Sequence, residues 1–290
     1  MTQLDALTAW HVAGGSFLWR GNDIFVRSGG SEDKPVLLLI HGFPSASYDW
    51  HPLWDRLIKR FRVITLDMLG FGFSDKPEDF DYSINAQANL IETLLAGMEV
   101  SRYTILAHDY GNTVAQELLA RQLEGKLRGR IEGICFLNGG LFPETHRPLL
   151  AQKLLASPLG GLVARLMSQG RFSTNLRRIC SDKLHADDIL ALWQLLELNN
   201  GRRVMPKLIH YMEERRKFRE RWVSALQKTT LPMRVIDGVI DPISGEHMVQ
   251  RYEEIVTHPD VVRLADVGHY PHLEAPDQVW EAFISWARKD

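Results

Sequence analysis

Short hydrophobic runs recur along the chain and are separated by longer amphipathic stretches. Several of these runs are rich in valine, isoleucine and leucine with little polar alternation, which is typical of strands covered on both faces. The predicted strands are residues 17–20, 24–27, 36–40, 62–66, 103–107, 131–137, 233–236 and 261–264. The first two are separated by Gly21-Asn22-Asp23, a turn sequence, and form a predicted hairpin.

The stretches between the strands have apolar residues at helical spacing. They predict helices over residues 50–59, 84–98 and 113–123. A hairpin that leads into alternating strands and helices predicts an α/β fold, with a mixed sheet whose centre is mostly parallel.

This alternation stops over residues 139–229, where no stretch has the pattern of a strand. Residues 186–199 place apolar side chains at i, i+3, i+4 and i+7, and the helical pattern continues over 208–226. We therefore predict a core domain made of residues 1–138 and 230–290, with residues 139–229 as a helical cap. The cap would lie over the carboxyl edge of the sheet, where open α/β sheets bind ligands.

The composition is that of an ordinary globular protein, with 45% hydrophobic and 24% charged residues in a chain of 290. A formal net charge of -2 provides no overall field that would attract nucleic acid or an anionic membrane. The most basic stretch, residues 214–222, also contains glutamates. Mixed charges of this kind favour a solvated helix face over an anion-binding patch.

Cysteine usage and hydropathy bear on the compartment. The two cysteines, Cys135 and Cys180, are too few for a disulfide scaffold and suit a reducing environment. The opening residues MTQLDALTAW lack the basic and apolar regions of a secretory signal, and no apolar run is long enough to span a membrane. We expect a cytoplasmic protein without a nucleic-acid partner; the oligomeric state stays open.

Chemistry is concentrated where the predicted strand 103–107 passes into a helix. A sharp strand-to-helix turn needs small side chains two positions on either side of its apex, and Ala107 and Gly111 occupy these positions around Asp109. This is the nucleophile-elbow pattern, with aspartate in the place usually taken by serine. Asp109 by itself would also suit an ordinary helix N-cap.

Two later loops supply possible partners for Asp109. Asp241 follows the predicted strand 233–236, and His269 follows the last predicted strand. The order Asp109, Asp241, His269 matches nucleophile, acid and base in a catalytic triad. The backbone N–H groups of Phe43, in a His-Gly-Phe-Pro turn, and of Tyr110 could form an oxyanion hole.

No metal or organic cofactor is implied by the sequence. None of the spacings that ligate metals, such as His-x-x-x-His with a further donor, occurs at His51, His247, His258 and His272.

These motifs resemble the α/β-hydrolase superfamily over nearly the whole chain, in its epoxide hydrolase and haloalkane dehalogenase branch. The tetrapeptide His-Asp-Tyr-Gly at 108–111 is the most specific match. The segments 108–119, 138–150, 216–223 and 269–271 also match, and they include residues of the predicted cap.

The resemblance implies a hydrolase in which Asp109 forms an aspartyl ester that a His269-activated water cleaves. Enzymes similar to epoxide hydrolases normally use two cap tyrosines on the epoxide oxygen, and Tyr211 is the one tyrosine of the predicted cap. His146, His185 or His210 could replace the second. Tyr211 as simple cap packing is an equal alternative.

Other chemistries remain open on the same residues. Haloalkane dehalogenases hold the halide with a tryptophan after the nucleophile and often an asparagine in the His-Gly-Asn-Pro turn, but Tyr110 and Phe43 stand there. Trp193 and Trp222 could offer indole N–H groups to a halide, although large aromatics on cap helices more often pack. We therefore expect a small apolar substrate, preferably an epoxide, with haloalkane or β-lactone and ester hydrolysis as alternatives. A non-catalytic ligand-binding or partner-binding module is the competing class.

Overall fold

A twisted sheet of eight strands runs through the centre of the protein. The computed structural model describes residues 3–287, with side chains from residue 5 onward, so both ends of the predicted core domain lie outside the described residues. The strands are β1 (Gly15–Trp19), β2 (Asn22–Gly29), β3 (Val36–Ile40), β4 (Arg62–Leu66), β5 (Arg102–Ala107), β6 (Arg130–Leu137), β7 (Met233–Gly238) and β8 (Val261–Leu264).

The strand order is β1-β2-β4-β3-β5-β6-β7-β8. β1 pairs antiparallel with β2, and β2 pairs antiparallel with β4. The neighbours from β4 through β3, β5, β6 and β7 to β8 all pair in parallel. The mixed sheet with a parallel centre is therefore confirmed. Because parallel strands end at the same edge, the loops after β3, β5, β6, β7 and β8 meet there.

Helices cover both faces of the sheet, which explains why its central strands are hydrophobic throughout. Leu37 to Ile40 of β3 are fully buried. The helices outside the 139–229 region are α1 (Gln3–Val12), α2 (His51–Leu57), α3 (Ile84–Gly97), α4 (Tyr110–Leu123), α12 (Glu246–Ile255), α13 (Pro271–Glu274) and α14 (Pro276–Ala287). Short 3₁₀ turns lie at Ser47–Trp50 and Leu198–Arg203.

Residues 139–229, which we call the inserted segment, contain helices and no strand. Its helices are α5 (Leu150–Leu155), α6 (Gly160–Arg165), α7 (Gln169–Arg177), α8 (Ala186–Glu197), α9 (Met205–Leu208), α10 (Tyr211–Lys217) and α11 (Arg219–Lys228). Among residues 3–287, every helix is too short or too polar to cross a bilayer.

Two helix predictions in the inserted segment are wrong in their extent. The continuous helix over 208–226 is divided, because Phe218 between α10 and α11 leaves helical geometry at φ -104° and ψ 16°. Helix α8 stops before Asn199, because Asn199 and Asn200 have φ values of 51° and 56°. Asparagine adopts this left-handed conformation more readily than most residues.

Glu117 of α4 joins the inserted segment to the core. Its carboxylate accepts hydrogen bonds from Arg121 Nε at 2.9 Å, Arg221 Nε at 2.8 Å and Trp222 Nε1 at 2.8 Å. Burial opposes ionisation of this carboxyl, but the hydrogen bonds outweigh it, so the pKa of Glu117 is below its ordinary value. One carboxylate therefore satisfies three donors, two of which belong to α11.

We expect Glu117→Gln to lower the free energy of unfolding by at least about 2 kcal/mol, because the donors of Arg121, Arg221 and Trp222 that share this carboxylate are left with a weaker, neutral acceptor. Urea denaturation followed by circular dichroism measures this loss. The matched control is Glu124→Gln, because Glu124 pairs with Arg221 at the surface and should cost less than about 1 kcal/mol. Equal losses in the two variants would contradict the role given to Glu117.

Candidate active site

Asp109 lies at the turn between β5 and α4 in a strained backbone conformation. Its φ and ψ are 44° and -104°, and its side chain makes no capping bond to α4. A non-glycine residue with positive φ typically costs on the order of 1–3 kcal/mol, and such strain is concentrated at functional sites. The N-cap alternative therefore does not describe this side chain.

The turn is possible because glycines surround it. A Cβ atom on Gly111 would lie 2.5 Å from the carbonyl oxygen of Ile40, and one on Gly139 would lie 2.7 Å from Asp109 Cα. A Cβ on Gly42 would lie 2.6 Å from His108 Nδ1. The need for a small residue at 111 was evident from the sequence, whereas Gly42 and Gly139 became significant only when β3 and β6 were placed beside β5.

One oxygen of the Asp109 carboxylate faces a backbone donor. The Phe43 N–H donates to Asp109 Oδ2 at 3.2 Å. Tyr110 begins α4, so its N–H belongs to the first turn, where helix N–H groups have no intrahelical acceptor. The turn after β3 and the start of α4 thus bring both predicted oxyanion-hole residues beside Asp109.

His269 and Asp241 form a buried pair. His269 Nδ1 lies 2.7 Å from Asp241 Oδ2. The second Asp241 oxygen accepts from the Ile243 N–H at 2.8 Å, and Ser244 Oγ donates to Oδ2 at 2.8 Å. Burial opposes the charge on Asp241, but these partners outweigh it and hold the pKa of Asp241 below its ordinary value.

The same pair changes the protonation of the imidazole. Burial opposes the imidazolium form of His269, but the Asp241 carboxylate, with a smaller contribution from Asp109, raises the pKa of His269 to about 9. His269 therefore carries a proton at neutral pH.

Asn138 and His108 connect the three loops, and the sequence did not reveal either role. The Asn138 carbonyl accepts from the Asp109 N–H at 2.8 Å, and its side-chain amide lies 3.2 Å from Asp241 Oδ2. His108 Nε2 lies 2.8 Å from the carbonyl oxygen of His269. A polar residue directly after the buried strand β6 was the only available signal for Asn138.

Arg215 contradicts the prediction that residues 214–222 form a solvated face. Its side chain is only 2% exposed. Nη2 donates to the Asp109 carbonyl at 3.0 Å and lies 3.6 Å from Asp109 Oδ1, while Nε donates to Thr113 Oγ1 at 2.7 Å. This arginine reaches Thr113 of α4, whereas its neighbours Arg216 and Lys217 are exposed.

Tyr211 lies next to the same carboxylate. Its ring centroid is 5.0 Å from that of Tyr110 and 5.9 Å from that of Phe43, and the Arg215 guanidinium lies 4.5 Å above the ring. Its buried hydroxyl has no hydrogen-bond acceptor among the described residues. Burial, and then the Asp109 charge, raise the pKa of Tyr211, so the phenol keeps its proton.

Three buried nitrogen atoms beside this site lack hydrogen-bond partners among the described residues. They are Arg215 Nη1 and both ring nitrogens of His146. Both residues approach Gly140, where a Cβ would lie 2.6 Å from Arg215 Nη1 and 3.2 Å from His146 Nδ1. The sequence suggests His146 as a substitute for a second cap tyrosine, and the structure places it close to Arg215 at Gly140.

Trp193 is not brought to this place. It packs against Phe172 at a ring distance of 5.5 Å, with the Arg202 guanidinium 5.7 Å from its ring. The side chain does not line the cavity beside His269.

A small apolar cavity adjoins His269. It encloses about 90 Å³, and Phe43, Tyr270 and Ile243 line it from the core. The inserted segment contributes mainly hydrophobic side chains, among them Leu149, Leu155, Met167, Phe172, Leu176 and Ile179. Larger cavities of about 370–560 Å³ lie elsewhere and include none of Asp109, Asp241 and His269.

One group of side chains in the described part of the chain has the composition of a metal site. Ligand atoms of Asp49, His108 and His272 lie within 4.8 Å of one another, and all three are buried. Burial raises the pKa of Asp49 to about 8 and lowers that of His272 to about 3. Both shifts favour the neutral forms of Asp49 and His272 at pH 7.

Comparisons with known proteins agree with this architecture. The family model described as "Alpha/beta hydrolase family" matches residues 37–282. The mesoderm-specific transcript protein of Mus musculus is 40% identical over 293 residues, covering 97% of this chain and 88% of the relative. The protein named hydrolase LipZ of Mycobacterium tuberculosis is 39% identical over 264 residues, covering 90% and 91%.

A solved structure shows the same fold at lower identity. The haloalkane dehalogenase DbeA of Bradyrhizobium elkani superposes with a TM-score of 0.78 at 20% identity, covering 94% of this chain and 96% of that one. The sheet topology, the helical insertion and these matches together show that the chain belongs to the α/β-hydrolase family.

Proposed function

We propose that this protein is a hydrolase that uses Asp109 as a covalent nucleophile, with a small apolar epoxide as substrate. The hydrogen bond from the Phe43 N–H to Asp109 Oδ2 carries the proposal. It places a fixed donor where negative charge develops when water attacks an aspartyl ester. A serine-type mechanism has no counterpart here, because the residue at the apex of the turn is an aspartate.

In the first step, Asp109 Oδ1 attacks an epoxide carbon. A carbon–oxygen bond to Asp109 forms as the carbon–oxygen bond of the ring breaks, and the leaving oxygen takes the proton of the Tyr211 hydroxyl. The unpartnered hydroxyl of Tyr211 supports this role, because a buried donor without an acceptor is available to a substrate oxygen. Arg215 Nη2 donates a hydrogen bond to the backbone carbonyl of Asp109 and thereby helps to hold the nucleophile in position.

In the second step, His269 removes a proton from water, and the resulting hydroxide attacks the carbonyl carbon of the Asp109 ester. The oxyanion forms on Oδ2 beside the N–H groups of Phe43 and Tyr110. Collapse of this intermediate releases a diol and regenerates the carboxylate, while Asp241 stabilises the imidazolium. Before this step, the proton that His269 carries in the resting site passes through solvent to the Tyr211 phenolate, so the proton then taken from water restores the imidazolium.

The ester itself would prepare the base. The Asp109 carboxylate helps to raise the pKa of His269, and alkylation removes that negative charge. The pKa of His269 then falls, so the imidazole can accept a proton when the hydrolytic step requires it. Ester formation at Asp109 would in this way convert His269 from a protonated resting state to a neutral imidazole that can act as a base.

Contacts in the site favour an epoxide over the alternatives. Halide binding would need side-chain donors at the positions of Phe43 and Tyr110, and Trp193 packs against Phe172. Tyr211, in contrast, offers a protonated hydroxyl next to the Asp109 charge. We further propose that residues 139–229 act as a cap domain over a core of 1–138 and 230–290, because they supply Tyr211, Arg215 and most of the cavity wall.

The covalent intermediate can be trapped directly. We expect His269→Gln, incubated with styrene oxide, to gain the full mass of one epoxide, because addition opens the ring without loss of atoms and the base for hydrolysis is absent. Intact-protein mass spectrometry measures the gain, and peptide mapping should locate it on Asp109. A bromoalkane used in parallel reports dehalogenation as an alkyl adduct with bromide release.

The matched control is the double variant Asp109→Ala, His269→Gln, which should stay unmodified. Labelling of both variants at another residue would rule out Asp109 as the nucleophile. Absence of an adduct across a broad panel of epoxides, haloalkanes and lactones would favour the non-catalytic binding module.

A variant of Tyr211 distinguishes epoxide opening from the alternative reactions. Tyr211→Phe should reduce epoxide turnover at least about tenfold, the lower end of the contribution of a positioned acid. Steady-state diol formation measures the effect, and ester formation in the His269→Gln background should slow by the same factor. Unchanged rates in both assays would show that Tyr211 only packs against Tyr110 and Phe43.

The charge coupling between Asp109 and His269 is measurable by NMR. The imidazole of His269 should titrate near pH 9, and Asp109→Asn, which imitates the neutral ester, should lower this midpoint. Because the folded pKa lies above the ordinary 6.5, the pair stabilises the protein fully below about pH 6.5 and loses that contribution as the pH rises through about 9. Asp277→Asn, at an exposed carboxylate paired with Arg56, is the control and should leave the midpoint unchanged. A midpoint that does not respond to Asp109→Asn would exclude the switching role.

A further inference from the structure

Helices α5 and α6 carry a concentration of exposed leucines. Leu150 and Leu154 are 70% and 41% exposed, and Leu159, Leu162 and Leu166 are 61%, 56% and 58% exposed. Five of the nine exposed large hydrophobic side chains in residues 5–287 thus fall within one short stretch. Their spacings of i, i+4 and of i, i+3, i+7 place each set on one face of its helix. We call these five residues the leucine patch.

The leucine patch borders the proposed substrate cavity but does not line it. The opposite face of α5 contributes Ala151, Gln152 and Leu155 to the cavity wall. Helix α5 is therefore apolar on two sides, one facing the cavity and one facing outward. Packing inside the protein explains the apolar side that faces the cavity. It does not explain the outward side, and contiguous exposed apolar surface is typical of interaction sites.

The charge around the leucine patch differs from that of the rest of the chain. Residues 145–181 contain six lysines and arginines and no aspartate or glutamate, although the whole chain has a net charge of -2. All six cations are exposed, and none forms an ion pair with another described residue; they are Arg147, Lys153, Arg165, Arg171, Arg177 and Arg178. The acidic side chains nearest to α6 in its neighbouring cavity, Glu78 and Glu197, are paired with Arg203 and Arg202.

We propose that the α5–α6 face docks on an anionic lipid surface. Leucines on one side of short helices, with unpaired lysines and arginines around them, match the two attractions that hold a protein at a membrane interface. Docking against a second copy of the chain fits the same face poorly, because it would bring two sets of unpaired cations together.

This placement gives the apolar cavity a source of substrate. Helix α5 separates the cavity from the leucine patch, so a bilayer-dissolved molecule would need to cross only one helix to reach the side of His269. The docking itself requires no catalysis and can fail or succeed independently of the proposed function.

The test is flotation of the full chain with vesicles. We expect binding to phosphatidylcholine vesicles that contain about a quarter phosphatidylglycerol, and at least about fivefold weaker binding to pure phosphatidylcholine. The double variant Leu159→Ser, Leu162→Ser should lower the partition coefficient at least about tenfold. Arg165→Gln, Arg171→Gln should do the same, and salt on the order of 0.5 M should weaken the wild type similarly.

Matched controls lie on other surfaces. Leu18, which is 68% exposed, and Arg60, which is exposed and unpaired, provide Leu18→Ser and Arg60→Gln, and both variants should bind like the wild type. Circular dichroism checks that every variant is folded. Absence of vesicle binding, or leucine variants that bind like the controls, would overturn the proposal. Sedimentation velocity showing a dimer that Leu159→Ser, Leu162→Ser dissociates would assign the face to self-association instead.

Discussion

The site depends on one steric constraint, the turn at which β5 passes into α4. Asp109 has a positive φ, and the loops after β3 and β6 approach it closely with Gly42 and Gly139. A Cβ atom added to Gly111 would lie 2.5 Å from the carbonyl oxygen of Ile40. This strained turn places one buried carboxylate at the carboxyl edge of a parallel sheet. There the loops after β3, β6, β7 and β8 can all reach it.

Electrostatics then determine what the carboxylate can do. Asp241 keeps His269 protonated, so the resting site holds two carboxylates and an imidazolium, with the Arg215 guanidinium beside Asp109. Asp109 contributes less than Asp241 to the raised pKa of His269. Under the proposed mechanism, formation of a neutral ester removes one negative charge and releases His269 to act as a base. The same group would be the nucleophile and the switch for the second step.

The inserted segment has two different relations to this core. Its last helices are fixed by buried polar contacts: Arg215 to Asp109 and Thr113, and Trp222 with Arg221 to Glu117. Its first helices lie over the cavity mainly through hydrophobic side chains and present unpaired cations and leucines outward. The fixed part supplies the groups beside Asp109, and the outer part carries the proposed lipid-docking face.

The sequence by itself determined the sheet and the order of its chemistry. Hydrophobic runs of strand length identified all eight strands within a few residues, and the small residues around Asp109 identified the turn, because both signals are local and come from neighbours in the chain. Only the tertiary structure decided which side chains gather around Asp109. Arg215 was one of several arginines in a mixed-charge helix, and its burial depends on where α10 ends and how α10 packs on α4. Asn138, Gly42 and Gly139 matter only because parallel strands distant in sequence lie side by side, a relation that no local pattern encodes.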